Sequence, residues 1–158
     1  MKKLKKCGES NHKCKQTRKC LSAIEALIKA EPYRELGSEK LNELDPEILC
    51  PEHLVNYHYL NGRYHFYKFK EQEDIEHLEW ANDYFDDMVS LAYDKKVKIE
   101  DERYFYSRAY VKYKLAELIW DEERKPWLLK KASDITTKAL MNNPSNDSFI
   151  WLNKQLSA

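Results

Sequence analysis

Cys7, His12, Cys14 and Cys20 fall within one short stretch near the start of this 158-residue chain. Four soft donors on one segment can close a tetrahedral zinc site, and the surrounding lysines would favour the thiolate form. Their spacing is C-x4-H-x-C-x5-C, which lacks the C-x2-C knuckle that preorganises a thiolate pair. The pattern therefore predicts no metal site, and this quartet is the metal candidate to be checked. Histidines form a second group: His53, His58, His65 and His77. His58 and His65 share a helix face, but seven residues separate their Cα atoms by about 10.5 Å, too far for comfortable chelation of one ion. Neither H-E-x-x-H nor G-x-S-x-G occurs, and the acidic pairs lack the Glu-x-x-His partner of a bridging di-iron site. No catalytic residue, cofactor or enzymatic activity is expected. Aromatic residues make up 13% of the chain, and they crowd two segments, Tyr57 to Phe69 and Tyr104 to Tyr113. Rings that dense must occupy more than one helix face, so some pack while others can line a binding surface.

These residues must be positioned by helices. Only three Gly and five Pro are present, which argues against an all-β fold and against a Gly-rich phosphate-binding enzyme. Leu21, Ile24, Leu27 and Ile28 make a stripe of helical period, ended by Glu31-Pro32. Tyr33 to Leu44 is ambiguous because Gly37-Ser38 interrupts it. Asp45-Pro46 offers a cap and a first-turn proline. Long helices are expected over Pro51 to Lys70, Glu73 to Lys95, Glu100 to Glu123 and Pro126 to Asn142. Asn143-Pro144-Ser145-Asn146 then stops one helix and caps a last short one. The prediction is an all-α chain of six or seven helices in antiparallel hairpins.

Charge is uneven although it sums to zero. Lys2, Lys3, Lys5, Lys6, Lys13, Lys15, Arg18 and Lys19 stand against Glu9 alone in the first twenty residues. Residues 1–16 read as a basic mobile arm and 17–158 as a single helical domain. No apolar run follows MKKLKK, so neither a signal peptide nor membrane insertion is expected, and a cytoplasmic location with reduced thiols is.

The chain also resembles itself. Tyr59 to Phe66 matches Tyr106 to Tyr113 at an offset of 47, with Gly62 and Ala109 in equivalent places suited to close helix crossings. Ala132, Ala139, Leu140 and Pro144 carry the spacing of small, small, Leu and Pro found in the second helix of a tetratricopeptide repeat. The segment Lys131 to Pro144 resembles that family, and Leu60 to Tyr64 resembles its first helix more loosely. The period is near 47 rather than the family's ~34, which describes a degenerate array. The resemblance implies a short α-solenoid whose first helices line a concave groove. It further implies a protein–protein interaction module, an adaptor or co-chaperone-like scaffold, that takes up a peptide or partner helix. By the internal alignment Asn61 and Arg108 flank the crossings, Lys112 follows one turn on, and His58 and His65 lie either side of Asn61. These five are the expected groove residues, facing solvent and receiving an acidic group or free carboxylate. A nucleic-acid binder using the basic arm and exposed tyrosines is the alternative.

Overall fold

The computed structural model describes residues 12–158, with side chains from Cys14 onward. Seven α-helices follow in order: α1 His12–Lys29, α2 Arg34–Asn42, α3 Pro51–Gln72, α4 Ile75–Lys95, α5 Glu102–Leu118, α6 Arg124–Asn142 and α7 Asp147–Leu156. Short 3-10 turns at Glu31–Tyr33 and Pro46–Ile48 bracket α2. The helices pack mainly on their chain neighbours, as the hairpins α1–α2, α3–α4 and α5–α6, with α7 on α6. The all-helical expectation and the hairpin arrangement hold. Cys7 and most of the basic arm lie outside the described residues, and residues 12 to 16 already belong to α1.

Local chemistry sets the helix ends. Asp74, Asp101 and Asn146 sit at N-caps with extended backbones, and each side chain accepts from a backbone N–H two residues on. Asp45 does the same for the 3-10 turn opened by Pro46. Glu73 ends α3 in the left-handed region at φ 55°, directly before the cap of α4, so a two-residue link closes that hairpin. Lys96 ends α4 in the same way at φ 56°. The fifth helix is shorter than expected and stops at Leu118, with Ile119 extended. The Asp121 side chain accepts from the backbone N–H groups of Glu123 and Arg124, which turns 119–123 into the approach to α6.

Gly37 resolves the ambiguous segment. It is buried within α2, and a Cβ there would stand 2.9 Å from the backbone nitrogen of Ile28. The glycine lets α2 cross α1 at backbone contact instead of interrupting the helix. At Gly62 a Cβ would come within 2.5 Å of the Phe85 ring, so α3 and α4 also cross through a glycine. Ala109 and Ala132 are fully buried, whereas Ala139 is only half-buried. Leu21, Leu60, Leu78, Phe85, Met88, Leu115 and Leu128 join the central core. Arg34 fastens the first hairpin to α3: its Nε donates to the Ile28 carbonyl at 2.8 Å, it pairs with Glu71, and its guanidinium lies over the Tyr67 ring. No helix among the described residues is long and apolar enough to cross a membrane.

Candidate functional site

Helices α3, α5 and α7 meet through aromatic rings. Tyr59 on α3 stacks on Tyr104 of α5 with ring centres 3.8 Å apart, and Phe66 meets Tyr110 edge-on at 5.6 Å. Tyr106 on α5 meets Phe149 of α7 edge-on at 5.5 Å. Between these contacts opens a cleft of about 320 Å³, lined by Arg63, Phe66, Tyr67 and Lys70 of α3, Tyr106, Ser107 and Tyr110 of α5, and Trp151 of α7. No carboxylate is among the lining residues. Arg63 lies over Tyr67, donates to its hydroxyl at 2.5 Å and reaches the Ser107 hydroxyl at 3.3 Å. Lys70 stands over the Phe66 ring, and Lys114 over Tyr110 and Tyr113 just beyond the rim. Arg63 and Lys70 are thus spread on aromatic faces, where the ring quadrupole holds them without neutralising them, whereas Lys114 also donates to Glu117 at 2.6 Å.

None of the five expected groove residues lines this cleft. Four of them turn toward α4. His58 packs on Tyr84, with its Nδ1 buried and lacking a hydrogen-bond partner among the described residues. His65 lies against Tyr84, Trp80 and His77, its Nδ1 3.0 Å from the Nδ1 of His77. Burial, then the charge His77 would carry, hold the His65 imidazole down to about 4, and burial also lowers His58. Arg108 Nε donates to Asp86 at 2.7 Å. Lys112 is wholly buried and donates to Asp86 at 2.7 Å and Asn82 at 2.8 Å. Burial lowers its pKa, against the pull of Asp86. Asn61 is also buried, and its amide bonds back to the Tyr57 carbonyl at 3.0 Å. The expected solvent-facing row is therefore corrected. An internal alignment fixes which residues are equivalent, but not which side of the helix carries the neighbour.

The candidate metal quartet is also redistributed. Cys20 is a free, exposed thiol. Cys14 instead comes together with Cys50 and His53, one donor atom from each lying within 4.8 Å of the others. Cys14 and Cys50 are disulfide-bonded sulfurs, where the composition had suggested thiols. His53 is buried in the first turn of α3, and burial, aided by the charge on Arg18, favours its neutral ring. The side chains of Cys7 and His12 fall outside the description.

Two signals for these sites were present in the sequence. Arg63, Phe66, Tyr67 and Lys70 recur every three or four residues, as do Tyr106, Tyr110 and Tyr113, and each set marks one helix face. Cys50-Pro51-Glu52-His53 places two donors three residues apart at a helix start. No protein-family model matches the chain, and neither a curated protein nor a solved structure matches it significantly.

Proposed function

We propose that this chain is a non-enzymatic protein-interaction module, a short solenoid of tetratricopeptide-like hairpins that holds an extended acidic peptide in the cleft between α3, α5 and α7. The observation that carries this reading is the lining itself: Arg63 and Lys70 among Phe66, Tyr67, Tyr106, Tyr110 and Trp151, with no acid beside them. Tyrosine and tryptophan give rigid contact area at low entropic cost, while the cations supply donors for carboxylate oxygens. Lining by alternate helices supports a solenoid's concave face. The residues first expected to bind support the reading indirectly, because His65, Arg108 and Lys112 brace α4 behind the two helices that form the walls.

Trp151 lines the cleft and is 43% exposed, which makes its fluorescence a direct reporter. Titration with an array of extended acidic peptides should change that emission, and Trp151→Phe identifies the component that belongs to it. Arg63→Glu with Lys70→Glu should weaken the best peptide at least about tenfold while the melt is retained. Binding that survives both substitutions moves the peptide surface off this cleft. A single-stranded oligonucleotide in parallel tests the other occupant of a basic, aromatic groove, and a salt-steep preference for it would replace the peptide reading.

A further inference from the structure

We propose that Cys14, Cys50 and His53 bind one zinc ion, which clips the start of α1 to the start of α3. The three donors come from two helices that are distant in sequence, and their ligand atoms lie within 4.8 Å of one another. A tetrahedral zinc centre with thiolate and imidazole ligands separates its donor atoms by about 3.5–4 Å, so the three donors are close enough to take the ion once the disulfide is reduced and its two sulfurs move apart. Two thiolates and an imidazole form three-quarters of a structural zinc set, and a set rich in sulfur selects zinc over hard cations.

The local architecture favours the same assignment. Cys50 occupies the N-cap of α3 with an extended backbone, and its side chain does not cap the helix. A thiol at a helix N-terminus is biased toward thiolate, the form that binds metal. His53 stands three residues on, so Cys50-x2-His53 presents both donors from one turn. His53 is buried and the two cysteines are half-buried, as suits a closed structural site. Cys20 is exposed and is not part of this cluster.

The disulfide is the oxidised form of the same cluster. A dithiol such as dithiothreitol passes two electrons and two protons to the S–S bond and leaves as its own cyclic disulfide. Zinc then displaces the two thiol protons and binds the thiolates. An imidazole nitrogen beside both sulfurs is what a zinc site requires in addition to a disulfide pair.

The test uses the full chain, purified with dithiothreitol, exposed to zinc, freed of excess and analysed for bound metal. About one zinc per chain is expected for the parent and for Cys20→Ser, with a fall of at least about tenfold in Cys50→Ser and His53→Ala. Cobalt in place of zinc should give the absorption of a tetrahedral, thiolate-bound ion. This reading needs only the parent protein, and it decides the matter where a variant fails to fold by circular dichroism. A reduced, folded parent that retains no zinc, or variants that retain all of it, overturns the site.

Discussion

Helix α4 has two seams of opposite chemistry. Toward α3 it presents Phe85 beneath Gly62, and the rings of His77, Trp80 and Tyr84 around His65. Toward α5 it presents Asp86 and Asn82 to Arg108 and a wholly buried Lys112. The first seam is held by shape and by burial that keeps the His65 imidazole neutral. The second is held by a charge with nowhere else to go. Both lie behind the same aromatic cleft, so a helix wall can be fixed either by close packing or by a saturated ionic contact. The two solutions should respond differently to substitution and to pH.

The largest expected effect is on the ionic seam. Asp86→Ala leaves the Lys112 ammonium buried with Asn82 as its remaining acceptor. Removing one member of such a pair costs about 3–5 kcal/mol, and the partial exposure of Asp86 places the expectation near ~3 kcal/mol. Lys112→Met removes the charge itself and keeps most of the volume, so it should cost no more than ~1 kcal/mol. Urea unfolding of both variants gives the comparison. Equal costs would mean that the ammonium is not confined as described.

The packed seam follows. Gly62→Ala should gain ~1 kcal/mol of helix propensity, yet its Cβ would enter the Phe85 ring at 2.5 Å. The clash dominates, because overpacking a close-packed core costs about 1–3 kcal/mol. A thermal melt at or above that of the parent would show that Phe85 has room to move and that the crossing does not depend on glycine.

Acid should also separate the seams. The His65 pKa is lowered from the ordinary histidine value to about 4, so its contribution to stability is complete above the unfolded value and is lost as pH falls through the folded one. Between pH 7 and about 4 the parent should lose ~1–2 kcal/mol from this group after solvent screening. Nδ1 of His65 lies 3.0 Å from Nδ1 of His77, a contact that needs one of the two nitrogens to accept, so protonating His65 at that atom removes its acceptor. His65→Gln should flatten the stability–pH slope in that window. An unchanged slope would assign the acid sensitivity to other groups. Lys112 acts in the opposite range: its folded pKa is depressed, so stability rises with pH between that value and the ordinary lysine pKa.

The sequence made some of this legible. Proline and capping residues at Pro51, Asp45 and Asn146 marked helix starts because those signals act on the backbone within a turn. Gly62 was readable as a crossing from its match to Ala109 in the internal alignment, since a small residue is what a close approach needs whatever the partner. Lys112 was not, because the partner that lets an ammonium be buried lies 26 residues back on another helix. A lone lysine looks solvent-exposed until its acceptors are known. The cleft was missed because the internal alignment drew attention to residues beside the crossings, which turn to α4, and away from the aromatic stripe nearly half a turn around each helix. The grouping of Cys14 with Cys50 and His53 was missed because the cysteines and the histidines were weighed as separate sets, and the fold joins one to the other across two helices.

The smallest expected effect lies at the edge of the ionic seam, and it tests whether Asp86 serves one cation or two. Arg108 is 21% exposed and donates to Oδ1 of Asp86, while Lys112 uses Oδ2. Arg108→Ala therefore removes one ion pair and leaves the buried pair intact. A partly exposed bridge is worth about 0.5–1 kcal/mol, and some of that loss is offset because the positive charge of Arg108 itself disfavours the ammonium on Lys112. The net cost in urea should be near ~0.5 kcal/mol, and the alkaline rise in stability attributed to Lys112 should move to higher pH as its ammonium becomes easier to keep. Adding Arg108→Ala to Asp86→Ala completes a double-mutant cycle. In the doubly substituted chain Arg108 no longer adds its repulsion to the stranded ammonium, so the combined cost should be smaller than the sum of the single costs. Additive costs would separate the two cations, making Arg108 a surface residue that merely lies beside the seam.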